Sequence, residues 1–410
     1  MQTKIKSKSN FRRPFRTNGS PRGAKPYFST NSYGQRRNNP RRNRGESIDI
    51  SRFIKKAVDL PEIKEVEPTN SFSDFGFVPQ LEVNLKVKNY TIPTPIQDQS
   101  IGHIMEGKDL IGLASTGTGK TGVFLLPMIN KAFLDRSQKV LIIAPTRELA
   151  LQIESEFHSF SYGMRIFSAI CVGGMPIFKQ INNLRRQPQF VIGTPGRLQD
   201  LHRRNLLDYS QFKNIVLDEV DRMLDMGFVN EIREILEQTP TNRQSLFFSA
   251  TMPPKIQILT QEFLQYPVTV SINAGQTAHN VDQDIIRASG DEKFDKLQNI
   301  LSQADFKKVL IFSETKREVE KLTNDLIDNN FKAESIHGDK RQGQRQKALT
   351  QFKNNSVNIL VATDVAARGL DIKDISHVIN YTIPQTYDDY IHRIGRTGRG
   401  NCKGIALTFV

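Results

Sequence analysis

Ala114-Ser-Thr-Gly-Thr-Gly-Lys-Thr121 lies between an apolar run, Asp109-Leu-Ile-Gly-Leu113, and a helix-forming run that begins Thr121-Gly-Val-Phe-Leu-Leu. Strand, glycine-rich loop and helix in that order make a phosphate-binding loop. Gly117 and Gly119 let the backbone turn so that successive N–H groups point at phosphate oxygens, Lys120 supplies a point charge, and the Thr121 hydroxyl can ligate Mg²⁺. Position 114 is Ala where the general pattern has Gly. Such a loop belongs at the carboxyl end of a parallel strand, so it predicts an α/β sheet around it.

The chain on either side agrees. Short apolar runs alternate with runs of helical period: KVLIIAP then RELALQIESEFHSF, FVIGTP then GRLQDLHRR, NIVLDE then VNEIREILEQ, QSLFFSAT then PPKIQILTQEF. This is the pattern of a parallel sheet covered on both faces. It pauses at Ala274-Gly-Gln-Thr277 and resumes with QDIIRAS, KVLIFSE, AESIHG, NILVATD and HVINYTI. Two tandem doubly wound α/β domains are expected, over 71–273 and 283–410, with a linker at 274–282. The chain stops within a strand-like run, Gly404-Ile-Ala-Leu-Thr-Phe-Val410, and the second domain is read as truncated there or covered otherwise.

Charge separates the remainder. The chain of 410 residues carries a net charge of +14, and residues 1–45 hold thirteen Lys or Arg and no acid, so everything from Glu46 onward is almost balanced. Residues 1–45 are too poor in aliphatics to offset the entropy of ordering and are expected to be disordered. Phe11, Phe15, Tyr27, Phe28 and Tyr33 are interleaved with their arginines, which suits contact with phosphates and unpaired bases. A solubilising tail and an organelle transit peptide are the alternatives. Residues 46–70 read as a solvated linker in which Ile50-Ser-Arg-Phe-Ile-Lys-Lys-Ala-Val58 could form one amphipathic helical turn or two, or a partner site. Cys171 and Cys402 are far apart and the seven histidines show no ligand spacing, so neither a disulfide framework nor zinc is expected. No run reaches membrane-spanning length and the first ten residues lack a secretory core, which points to a cytoplasmic protein.

Further residues of interest fall where strands end. Asn214-Ile-Val-Leu-Asp-Glu219 places Asp218 to hold Mg²⁺ and Glu219 to polarise an attacking water; alone the pair would be a helix N-terminal charge, but beside a phosphate loop it reads as catalytic. Ser249-Ala-Thr251 puts two hydroxyls at another strand end, where alone they read as a helix N-cap, whereas Pro145-Thr-Arg147 and Thr194-Pro-Gly-Arg197 are each explained equally well by capping or by contact with a phosphodiester chain. His392-Arg-Ile-Gly-Arg-Thr-Gly-Arg399 places three arginines among glycines, read as fingers that reach a triphosphate.

In this order the motifs resemble those of the DEAD-box ATP-dependent RNA helicases of superfamily 2, over residues 71–410. Phe72 with YTIPTPIQ at 90–97, ASTGTGKT, PTREL, Gly173-Gly174, TPGR, DEVD, SAT, VLIFSE, ATDVAARGLD and HRIGRTGR carry the resemblance, and Ala114 is that family's usual residue. The resemblance implies RecA-like domains, ATP and Mg²⁺. Gln97 would read adenine, supported by Phe72 and Tyr90, while Ser115, Thr116, Gly117, Thr118, Gly119, Lys120 and Thr121 would cradle the phosphates. Thr121 and Asp218 would serve Mg²⁺, the latter through water, and Glu219 would be the general base. Ser249, Thr251 and Asp221 would couple hydrolysis to strand separation, with His392 linking them to the nucleotide. Gly369 and Asp371 would border the nucleotide, Arg396 and Arg399 would act as arginine fingers, and Arg147, Gly174, Thr194, Arg197 and Thr363 would hold the RNA backbone without regard to sequence.

Two departures stand out. The fourth motif reads DEVD, so Val220 must find room beside SAT, and Asn89 stands where glycine is common. The expected protein is a monomeric RNA-stimulated ATPase that melts short duplexes and remodels ribonucleoproteins, with ribonucleoprotein or ribosome-related partners reached through the basic tail and no membrane partner. An ATP-gated RNA clamp, an annealing chaperone and a translocating DNA helicase are the rivals.

Overall fold

The computed structural model describes residues 49–56, 68–115, 117–272, 280–290, 292–367, 372, 374–398 and 403–410. The basic tail at 1–45, the 274–277 stretch and Thr116, Gly369, Asp371, Arg399 and Cys402 lie outside the described residues.

The first sheet contains β1 (Leu110–Leu113), β2 (Val140–Ile143), β3 (Ser168–Cys171), β4 (Phe190–Gly193), β5 (Asn214–Leu217), β6 (Gln244–Ser249) and β7 (Val268–Ser271). The second contains β8 (Val281–Ile286), β9 (Val309–Phe312), β10 (Ala333–Ile336), β11 (Ile359–Ala362), β12 (His377–Asn380) and β13 (Gly404–Phe409). Every pairing within these sheets is parallel, in the orders β3-β4-β2-β5-β6-β1-β7 and β10-β11-β9-β12-β13-β8. The expected doubly wound, RecA-like pair of domains is present. β8 already begins at Val281, inside the stretch read as linker.

Alternation along each strand explains why both faces are covered. Val140 and Ile142 enter one apolar cluster of the first domain, with Phe124, Phe157 and Phe248; Leu141 and Ile143 enter the other, with Leu198, Ile232 and Phe247. In the second domain Leu310 and Phe312 face one cluster and Val309 and Ile311 the other. Strands buried on both faces must be almost wholly apolar, which is how VLII and VLIF read. Val220 is fully buried in the second of the first domain's clusters, so its extra volume beside SAT is absorbed by packing. Asn89 has φ +57°, the left-handed region that Asn tolerates better than most residues, so it replaces glycine at modest cost.

β13 is flanked on both sides, by β12 and β8. The segment read as a solvated linker is partly ordered. Ile50–Phe53 form a short 3-10 helix, capped by Asp49, and Lys55 pairs with Gln283 on β8. Among the described residues no helix is long and apolar enough to cross a membrane.

Candidate active site

The phosphate loop leaves β1 and enters the helix Lys120–Leu134. Gly117 and Gly119 have φ of +88° and +91°, conformations that side chains with a Cβ rarely adopt. Gly119 also has no room for one, since a Cβ there would lie 2.8 Å from Nε2 of Gln97. Gln97 is buried and bridges two segments: its Nε2 donates to the Gly119 carbonyl at 3.0 Å and its Oε1 accepts from the Thr94 amide at 2.9 Å. Behind it Tyr90 packs edge-on against Phe160, and Phe72, itself buried in the core, packs against Tyr90. The Thr118 hydroxyl donates to the Ser115 carbonyl at 2.9 Å, which holds the loop's curvature.

Lys120 Nζ donates to the carbonyls of Ala114 and Ser115. Burial pulls its ammonium below the usual range, opposed by the carboxylates of Asp218, Glu219 and Asp221. Those acids follow β5, which pairs with both β2 and β6. Burial, and then the charge of Glu219, push the Asp218 carboxyl above the usual carboxylate range. Its Oδ1 is buried without a hydrogen-bond partner among the described residues. A desolvated carboxylate oxygen past the end of β5, with only β6 between that strand and the β1 that leads to Lys120 and Thr121, fits an Mg²⁺ ion or its water, which would supply the missing positive charge. Glu219 has φ +54°, a strained conformation for this residue, and the Arg222 guanidinium holds its Oε2 at 2.7 Å in a buried ion pair.

Asp221 joins this turn to SAT. Its Oδ2 accepts from the amides of Ala250 and Thr251 at 2.9 and 3.0 Å and from the Thr251 hydroxyl at 3.3 Å. The Asp221 amide in turn donates to Ser249 Oγ at 3.3 Å. Burial works to raise the Asp221 carboxyl, but Arg222, Lys120 and then His392 of the second domain, with the Ala250 amide, hold it below the usual carboxylate range. The second domain therefore contributes to the field at the first domain's acidic turn.

His392 lies on the helix Tyr387–Ile394, and with Asp389, Arg393 and Arg396 it lines a pocket closed by Phe312, Asp364 and Ala367. Arg396, two residues past the helix, is almost fully buried there. Arg393 corrects the reading of three fingers. Its guanidinium makes a two-pronged ion pair with Asp364 at 2.6 and 2.7 Å, and donates to the Thr382 carbonyl at 2.7 Å. A guanidinium satisfied by its own domain is an anchor, not a finger.

The residues expected to hold an RNA backbone lie just past strand ends. The Arg147 guanidinium packs against Gly173-Gly174, and Gly174, at φ +76°, has no space for a Cβ beside it. Thr194 precedes the helix Pro195–Arg203, and Arg197 donates to Gln180 Oε1 at 3.3 Å. Thr363 follows β11 in the second domain. The first sheet thus brings Arg147, Gly174, Thr194 and Arg197 to the carboxyl ends of β2, β3 and β4.

The sequence reading passed over the link between the domains. Glu148, at the start of the helix Arg147–Phe160, accepts from Arg345 at 2.8 Å and from Gln342 Nε2 at 3.2 Å, and Glu148 and Arg345 are both buried. QGQR at 342–345 opens the helix Gln342–Lys353 and reads like an exposed polar turn, so only the pairing reveals it.

A phosphate loop and an acidic turn in one parallel-sheet domain, with a buried ion pair joining that domain to a second, is the organisation of helicases built from two RecA-like halves. Comparison with known proteins narrows that class. The DEAD/DEAH box helicase family profile matches residues 94–259, and that of the helicase conserved C-terminal domain matches residues 292–401. The ATP-dependent RNA helicase CshA of Limosilactobacillus reuteri is 45% identical over 341 residues, covering 83% of this chain and 69% of that protein. Among solved structures, Mss116p bound to single-stranded RNA and AMP-PNP matches with a TM-score of 0.75 at 30% identity, covering 86% of this chain and 76% of that one. Dbp5 of S. cerevisiae bound to RNA and ADP BeF3 matches with a TM-score of 0.73 at 30% identity, covering 83% and 89%. The chain belongs to the DEAD-box family of ATP-dependent RNA helicases.

Proposed function

We propose that this helicase grips RNA by its phosphates and ribose, without regard to sequence, and melts short duplexes locally as its two domains close on ATP. RNA-bound relatives of the same fold support this reading, as does the row of Arg147, Gly174, Thr194 and Arg197 along one sheet edge. The observation that carries it is the Asp221 carboxylate. One oxygen accepts from the Ala250 and Thr251 amides, the Asp221 amide donates to Ser249 Oγ, and the charge of His392 is among the causes that hold this carboxyl below the usual range. A change at the nucleotide is thereby felt at two strand ends and in the second domain.

Roles follow from position. Lys120 and the loop amides hold the phosphates, and Thr121 and Asp218 would hold Mg²⁺, which supplies charge neutralisation on the phosphate oxygens. Glu219, fixed by Arg222, orients the attacking water and takes its proton. Arg396 stabilises charge on the transferred phosphoryl group from the second domain. ATP and RNA both favour the closed arrangement, so each must tighten the other.

The experiment is steady-state hydrolysis with and without RNA in wild type and Glu219→Gln. The substitution is expected to lower RNA-stimulated kcat by about 100-fold or more while ATP-dependent RNA binding survives. An unchanged rate, or a wild-type rate indifferent to RNA, would remove this reading.

A further inference from the structure

Residues 49–56 precede the first domain in sequence but pack on the second. Phe53 is fully buried in a cluster with Val281 of β8, Ala406 of β13, and Tyr390 and Ile394 of the helix Tyr387–Ile394. Its ring lies 4.6 Å from that of Tyr390, centroid to centroid, and the neighbouring Arg52 guanidinium sits 3.7 Å over the ring of Tyr387. Two residues on, Lys55 and Gln283 exchange both backbone hydrogen bonds, at 3.0 and 2.8 Å, so the segment extends the sheet beyond β8. Gln283 also accepts, through Oε1, a hydrogen bond from the Tyr390 hydroxyl at 2.9 Å. An aromatic anchor, a cation over a ring and a strand pairing, all within four residues, make a built docking site.

The helix it grips has two faces. Tyr387, Tyr390, Ile391 and Ile394 recur at helical spacing and pack in the Phe53 cluster. Asp389, His392 and Arg393 project elsewhere, into the pocket that also contains Arg396. On that side Arg393 is locked to Asp364. The strap closes the opposite side, pressing behind the residues that face the nucleotide-binding domain.

We propose that residues 49–56 are a strap that holds the helix Tyr387–Ile394 in register, with Phe53 a positioning residue for His392 and Arg396. The inference rests on the reading of those two as the second domain's contribution to ATP turnover. Without Phe53 the space behind Tyr390 and Ile394 opens. A helix of two turns can then rock about its Arg393 anchor, and Arg396, beyond its end, moves with it. Displacement of a transition-state group lowers kcat, whereas ATP binding to the phosphate loop of the other domain is untouched.

The test uses the full chain. Phe53→Asp is expected to lower RNA-saturated kcat about tenfold with KM for ATP unchanged within about twofold, and Phe53→Leu to restore most of the rate. Lys55→Pro removes a strand hydrogen bond without opening a cavity and is expected to act in the same direction if Phe53→Asp fails to fold. Hydrogen exchange at the Gln283 amide reports release of the strap. In an Arg396→Ala background Phe53→Asp is expected to add no further loss of kcat, whereas damage to folding alone would add to it. Faster exchange at Gln283 with kcat preserved, while Arg396→Ala is slow, overturns the strap alone. A normal rate for Arg396→Ala overturns the underlying reading and the strap with it.

Discussion

Single residues at this site do more than one job, and their substitutions have separable readouts. Gln97 spends both ends of its amide on the protein, bridging Thr94 and Gly119, so it shapes the loop before any nucleotide arrives. Gln97→Ala deprives the half-buried Thr94 amide and the Gly119 carbonyl of these partners, each worth about 1 kcal/mol. KM for ATP is expected to rise about tenfold with kcat little changed, measured by steady-state hydrolysis at saturating RNA. A parallel fall in kcat at unchanged KM would place the residue elsewhere in the cycle. His377 lies outside the site and contributes to the dependence of stability on pH. Its ring is buried, stacked on Phe306 at 3.8 Å, and burial lowers its pKa to about 4. The unfolded ring keeps an ordinary value near 6.5, so the unfolded chain takes up the proton first. The stability this ring contributes is complete above that value and is lost as pH falls from about 6.5 towards 4. Between pH 7 and 5 the loss is about 1–2 kcal/mol. His377→Phe keeps the stacking and is expected to flatten that part of the profile in urea titrations; an identical slope would exclude His377 as its source.

At the scale of elements, the turns after β5 and β6 lie side by side because Leu217 pairs with Phe247, and Asp221 spans them. Asp221→Asn turns an NH2 towards amides that need an acceptor, on either side of the carboxylate. Each buried group left unpaired costs about 1–3 kcal/mol. Duplex unwinding per ATP hydrolysed is expected to fall about tenfold, more than hydrolysis itself, in paired unwinding and phosphate-release assays. An unchanged ratio would mean that Asp221 serves hydrolysis alone. This junction was legible in outline, because its parts end apolar strands whose length and composition announce themselves, as NIVL and QSLFF do. The edge strand β7 was not: VTVS is short and only Val270 is buried. Arg393 was misread for a related reason. Its motif shows which arginines are close in sequence, but its partner, Asp364, comes from another element.

At the scale of the molecule, the contacts invisible in the sequence are those between distant segments. Phe53 looked like part of a solvated linker because the strand and helix that bury it begin only at Val281 and Tyr387. Glu148 and Arg345 were passed over because each alone is an ordinary helical charge. Together they form a buried pair across the domains, beside Arg147, whose own charge works against that of Arg345. An RNA phosphate bound at Arg147 would offset this repulsion, so the pair gains most when RNA is present. Removing one partner from a buried pair costs about 3–5 kcal/mol, and here the cost falls on the closed arrangement and not on the folding of either domain. Arg345→Met is therefore expected to raise the RNA concentration for half-maximal ATPase by about tenfold or more, with the melting temperature nearly unchanged. Glu148→Gln should act in the same direction. The double variant should be less impaired than the sum of the two, with a coupling of about 1 kcal/mol or more in a double-mutant cycle on RNA affinity. Additive effects would show that the two side chains act independently, and unchanged RNA dependence would show that closure is held elsewhere.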